Sequence, residues 1–125
     1  MNGLSDGIND NKIRNKQKGN IGEALAYNYL LKNGYKILET NYKTSIGEID
    51  IIATNDENRI IFIEVKRRET AKFGYPREAV NYKKQNAIRR VALLYLKVNK
   101  QSTSFIRFDV IEILGENITH LKAVF

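Results

Sequence analysis

Three consecutive stretches decide how this chain folds: Gly47-Glu48-Ile49-Asp50-Ile51-Ile52-Ala53-Thr54, then Asn55-Asp56-Glu57-Asn58, then Ile60-Ile61-Phe62-Ile63-Glu64-Val65-Lys66-Arg67. The outer two are rich in β-branched and aromatic residues and the middle one is a polar turn, which predicts two antiparallel strands of one hairpin. On the first strand Glu48, Asp50 and Ile52 would share a face, with Ile49, Ile51 and Ala53 on the other. On the second, Phe62, Glu64 and Lys66 alternate against Ile61, Ile63 and Val65. Charged side chains thus stand among core formers. A register that sets Asp50 opposite Glu64 also sets Ile52 opposite Phe62 and Glu48 opposite Lys66, all pointing one way. A slip of one residue would turn a carboxylate onto the apolar face, so the first register is the expected one.

Two carboxylates within a few ångströms raise each other's pKa unless a cation lies between them. Oxygen donors in a chain with no cysteine and one histidine favour Mg²⁺ or Mn²⁺ over zinc or copper. Lys66, two residues beyond Glu64 on the same face, would set an ammonium beside the attacking water and the phosphate. That division of labour is phosphodiester hydrolysis. The same Asp-Glu-Lys pattern also suits the solvated outer face of a hairpin, where Glu-Lys pairs are common. Glu23, in a helical row with Tyr27 and Leu30, is a candidate fourth acidic member, or else a helix-start glutamate favoured by the dipole.

Working outward, Lys18 to Asn33 is apolar around most of a helical circumference and stops at Gly34, predicting a largely buried first helix. Tyr35 to Tyr42 reads as a strand. Pro76 suits the first turn of a second helix running to about Val98, with Val80, Ala87, Val91 and Leu94 as its apolar stripe and Lys83, Asn86, Arg90 and Lys97 as a basic one. Strands return at about Ser104 to Leu114 and Ile118 to Val124. The order α-β-β-β-α-β-β predicts a single α/β domain over residues 18–125 with a mixed sheet, preceded by a polar, basic arm at residues 1–17.

With 125 residues the chain has room for one core. Its longest uninterrupted apolar run, Val91 to Leu96, is far short of the roughly 20 residues that cross a bilayer. No membrane partner is expected, and the absence of cysteine fits a reducing cytoplasm. The net charge of +7 is unevenly placed: Arg59 to Lys100 carries 12 lysines and arginines against Glu64, Glu69 and Glu78, while the remainder is slightly acidic. Such a segment attracts polyanions, and nucleic acid is the first partner to consider. Arg67, Arg68 and Lys72 would hold flanking phosphates, with Lys83 and Arg90 continuing the track. Phe73 and Tyr75, in the loop beyond, suit stacking on bases. Arg107 and Asp109 alternate with Phe108 and Val110, which points to a same-face structural ion pair. His120, with no acidic neighbour in sequence, reads as structural or exposed.

Gly19, Gly22-Glu23, Ala26, Gly34-Tyr35, Asn41, Gly47-Glu48-Ile49-Asp50, Glu64-Val65-Lys66 with Arg68, Lys83 and Arg107-Phe108-Asp109 together resemble the YraN-like group of small bacterial proteins. That group is placed in the PD-(D/E)xK restriction-endonuclease-like superfamily and is similar in motif to archaeal-type Holliday junction resolvases. The likeness spans about Lys18 to Phe125, with Ile49 standing where the superfamily's signature proline would be. It implies a three-layer fold with an αβββαβ core, Asp50, Glu64 and the Val65 carbonyl as metal ligands, Lys66 as the catalytic lysine, and Glu23 as a further residue binding or positioning metal and water. DNA, structured or branched forms included, is the expected substrate ahead of RNA, and a homodimer is a candidate assembly because resolvase-like relatives act as dimers. The alternative is a non-catalytic nucleic-acid-binding module that keeps the nuclease fold.

Overall fold

A computed structural model describes residues 10–68, 81–102 and 105–125, with residues 10–20 as backbone only. Its elements are α1 (Asp10–Lys32), β1 (Lys36–Thr44), β2 (Gly47–Thr54), β3 (Ile60–Arg68), α2 (Tyr82–Val98), β4 (Ile106–Leu114) and β5 (Asn117–Leu121). The five strands form one sheet in chain order, antiparallel except where β3 pairs with β4. That one parallel pair requires a crossover, and α2 lies within it. The expected αβββαβ core and mixed sheet are therefore present.

Two apolar clusters, one on each sheet face, make three layers. Ile52, Phe62, Phe108 and Val110 pack with Ile88, Val91, Ala92, Tyr95 and Leu96 of α2. Ile51, Ala53, Ile61, Ile63, Ile111 and Ile113 pack with Ala26 and Leu30 of α1. β3 is buried at every position from Ile60 to Glu64, which explains a near-continuous apolar run without alternation: a central strand is covered on both sides. Glu64 is the exception in that run, and at 5% exposure it is a carboxylate within the core.

Several expectations are corrected. α1 reaches back to Asp10, into the stretch read as an arm. Nor is it largely buried over the side chains described: a helix lying on one sheet face buries one stripe, here Gly22, Ala26 and Leu30 at intervals of four, and leaves Ile21, Tyr27 and Leu31 exposed. α2 is capped by Asn81, whose side-chain oxygen accepts from the Lys84 amide at 2.9 Å. Its buried stripe is Ile88, Val91, Ala92, Tyr95 and Leu96, and Leu94 faces outward. Pro76, Val80 and the loop aromatics Phe73 and Tyr75 lie outside the described residues. Among the described residues no helix is long and apolar enough to cross a membrane.

Candidate active site

The β2–β3 ladder adopts the expected register, with Ile52 opposite Phe62 and Ile51 opposite Ile63, and regular pairing ends there. The next pair in that register is Asp50 and Glu64. β2 also turns at this point. Ile49 packs in the α2 cluster while Ile51, two residues on, packs in the α1 cluster, so Ile49, Ile51 and Ala53 do not share one face as alternation predicted. The cause lies in β1, where Asn41, flanked by the pairs Tyr42↔Ile49 and Thr40↔Ile51, has φ 50. That left-handed conformation, which asparagine tolerates better than most residues, breaks the pleat opposite Asp50.

The parting strands leave main-chain groups of β3 without a ladder partner on β2. The Val65 amide donates to Asp50 Oδ2 at 2.8 Å. In an extended strand the N–H and C=O of one residue point to the same side, so the Val65 carbonyl faces the same gap. Asp50 and Glu64 are in hydrogen-bond contact, and burial first, then the charge of Glu64, push Asp50 up to about 8. One carboxyl of the pair thus holds a proton unless a cation takes its place.

Both helices reach the gap. Gly22 of α1 sits against β3: a Cβ built there would lie 3.3 Å from Arg67 Cβ, so the missing side chain lets the helix approach and delivers Glu23 to the site. Burial raises the Glu23 pKa, an Asn41 hydrogen bond opposes the rise, and the charges of Glu48 and Glu64 add to it. Glu23 Oε1 is buried without a hydrogen-bond partner. Lys66 Nζ stands 3.6 Å from Glu64 Oε2. Lys84, from the first turn of α2, is ion-paired with the same oxygen. Burial and then the Lys84 charge lower the Lys66 pKa, whereas for Lys84 burial lowers it but the hydrogen bond and charge of Glu64, joined by Lys66 and Asp50, raise it overall.

Asp50, Glu64, Lys66 and Glu23 are therefore gathered at one place, and Lys84 and Asn41 join them unforeseen. Among the described residues no three His, Asp or Glu side chains form a ready-made cation cage. Two carboxylates, the Val65 carbonyl and the unpartnered Glu23 oxygen are all hard oxygen donors, a set that fits Mg²⁺ or Mn²⁺.

The expected phosphate contacts divide. Arg67 is exposed with its stem over Gly22, and Lys83 and Arg90 are exposed on α2. Arg68 differs: its Nε lies 3.2 Å from Glu112 Oε2, with both side chains largely buried, so this guanidinium is held by the sheet. Lys72 lies outside the described residues. At the far end of β4 a separate polar cluster is complete. Arg107 donates to both oxygens of Asp109, at 2.8 and 2.7 Å, as the same-face ion pair expected. Asp109 Oδ2 also lies 2.7 Å from His120 Nε2, and the Ala123 amide donates to Oδ1 at 3.0 Å. His120 is buried, with Nδ1 3.1 Å from the Tyr29 hydroxyl, so its role is structural.

Fold and site together define an α/β sandwich whose central strand carries a carboxylate-lysine centre at its open end. The chain belongs to the uncharacterised protein family UPF0102, whose model matches residues 22–113, every site residue included. A UPF0102 protein of Clostridioides difficile strain 630 is 51% identical over 115 residues, 90% of this chain and 100% of the relative. One from Thermodesulfovibrio yellowstonii is 50% identical over 107 residues, 86% and 94% of the two chains. Among solved structures the chain is similar to a repair endonuclease from Pyrococcus abyssi, with a TM-score of 0.46 and 15% identity, over 74% of this chain and 38% of that one. It is similar also to EndoMS in a complex with dsDNA, with a TM-score of 0.41 and 16% identity, over 71% and 34%. The chain thus spans little more than a third of the length of either.

Proposed function

We propose that this protein is a divalent-metal-dependent nuclease of the PD-(D/E)xK kind that hydrolyses phosphodiester bonds of DNA, structured or branched DNA included. The observation that carries the reading is the contact of Asp50 with Glu64 where β2 and β3 part, with Lys66 Nζ 3.6 Å from Glu64. An outer hairpin face has no reason to bury carboxylates against each other, since an isolated buried charge is costly. Asp50, Glu64 and the Val65 carbonyl would hold Mg²⁺ or Mn²⁺, which when bound lowers the pKa of water and stabilises charge on phosphate. Lys66 offsets the negative charge that grows on the phosphate as water oxygen joins phosphorus and the P–O bond to the leaving group breaks. Its depressed pKa eases proton exchange with the attacking water. Glu23 Oε1, buried and unpartnered, is an acceptor for that water. The exposed cations Arg67, Lys83 and Arg90 supply backbone contacts.

The test is incubation with Mg²⁺ or Mn²⁺ and a panel of duplex, single-stranded, flap and four-way-junction DNAs, beside Asp50→Ala. Cleavage lost in the variant is the expected result, and cleavage unchanged in it refutes the site. Salt-sensitive binding to DNA with no cleavage of any substrate identifies the non-catalytic module instead.

A further inference from the structure

Glu64 Oε2 is approached by two ammonium groups of different freedom. Lys66 is rooted in β3 two residues from Glu64, and its Nζ lies 3.6 Å away. Lys84 reaches across from α2, with its main-chain amide held by Asn81 Oδ1 at 2.9 Å and its side chain 44% exposed, while Glu64 is 5% exposed. The backbone of Lys84 is thus fixed and its four-carbon stem is solvated. A compact ammonium on such a stem leaves a carboxylate at little cost in packing.

We propose that Lys84 is an exchangeable counter-ion of this site: it occupies Glu64 while no metal is bound, is displaced when a divalent ion arrives, and then contacts a DNA phosphate. The inference rests on the metal-dependent reading above and adds a positioning residue to it. Two cations competing for one carboxylate weaken each other, so a metal entering the wild-type site competes with the Lys84 pair. Lys83, its neighbour in sequence, has the same charge without that contact among the described interactions, and serves as the control.

The test is Mn²⁺ binding by calorimetry at fixed ionic strength on the full chain, with Lys84→Met, Lys84→Arg, Lys83→Met and Asp50→Ala. Lys84→Met should bind Mn²⁺ on the order of tenfold more tightly than wild type, Lys84→Arg should stay near wild type, and Lys83→Met should change affinity less than about twofold. Fluorescence anisotropy on duplex DNA should show Lys84→Met weakened severalfold in Ca²⁺ and unchanged in EDTA. Mn²⁺ affinity equal to or weaker than wild type in Lys84→Met overturns the inference, and unchanged DNA affinity in Ca²⁺ overturns its phosphate contact. Mn²⁺ binding that survives Asp50→Ala refutes the metal site itself, and Mn²⁺ binding in none of the proteins overturns both.

Discussion

Replacing Asp50 by Asn in protein stripped of divalent ions should stabilise it at neutral pH and flatten its pH dependence. Burial and the Glu64 charge raise Asp50 from 3.8 to about 8 in the folded state. Between those values the native protein binds more protons than the unfolded chain. The contribution is therefore fully present below the unfolded pKa and is lost as pH rises toward the folded one. One proton corresponds to about 1.4 kcal/mol per pH unit, so a rise from about pH 5 to 7 removes up to about 3 kcal/mol. For a domain of this size that is on the order of 10 °C in Tm. Asn binds no proton, keeps a carbonyl oxygen for the Val65 amide, and removes the like charge beside Glu64 while its pairs with Lys66 and Lys84 remain. Thermal melts by circular dichroism in EDTA, from about pH 5 to 8, should show wild type falling steadily and Asp50→Asn nearly level, with the variant the more stable at pH 7. A level wild-type profile, or equal slopes in the two proteins, refutes the convergence of the carboxylates.

At position 22 the added Cβ meets Arg67 Cβ at 3.3 Å, but alanine also gains up to about 1 kcal/mol of helix propensity over glycine. Urea melts should thus find Gly22→Ala close to neutral, and Gly22→Leu destabilised by about 1–3 kcal/mol with reduced cleavage as α1 and Glu23 are lifted from β3. Asp109 neutralises Arg107 in a buried pair, so Asp109→Ala should cost about 3–5 kcal/mol in the same assay. Burial would raise the Asp109 pKa, yet the bonds from His120, Arg107 and the Ala123 amide outweigh it and hold it below 3.8. Its contribution is present above the unfolded pKa and fades as pH falls through the folded one, and an Asp109→Asn variant that keeps the wild-type acid limb contradicts this. Lys66→Ala should lower DNA cleavage by about 10²–10⁴-fold while DNA affinity measured in Ca²⁺ moves only severalfold. A matching loss of affinity would make Lys66 a binding residue.

The hairpin was legible because period two allows few solutions: once Asp50 and Glu64 share a face, Ile52 must meet Phe62, as it does. The phase of α2 was less so. A stripe through Val80, Ala87, Val91 and Leu94 and one through Ile88, Val91, Ala92 and Tyr95 both keep spacings of three, four and seven, and the second is buried throughout, whereas of the first's described residues only Val91 is. The two stripes differ by a rotation of the helix that exchanges Lys83 for Lys84, whose side chains diverge by roughly 100°. Asn81 held the missing signal, since an N-cap there fixes where the helix begins and places Lys84 in its first turn. The twist that sends Ile49 and Ile51 to opposite layers depends on the backbone of Asn41 in another strand, and nothing local to β2 encodes it. His120 meets Asp109 only because β5 folds back on β4 in a register that sets His120 beside Ile111. Sequence adjacency offers His120 no acidic partner.

The two buried carboxylate clusters of this sheet argue the assignment against each other. Asp109 is as deeply buried as any residue in the fold, yet its pKa falls, because a guanidinium, an imidazole and a main-chain amide saturate its oxygens. Asp50 has one amide and another carboxylate, and its pKa rises. Burial alone does not separate the two, since it pushes both pKa values upward; the difference is the number of donors the fold supplies. A cluster whose donors are complete holds strands together and has no capacity left for a ligand. A cluster left short of positive charge costs stability in the empty state, a cost that is relieved when a cation enters from outside the chain. Asp50 and Glu64 are short in that sense even with Lys66 and Lys84 beside them, because burial and the Glu64 charge still push Asp50 up to about 8. The same reasoning places chemistry at the parting of β2 and β3 and gives Arg107, Asp109 and His120 a structural task, although all of them are polar groups held in one sheet.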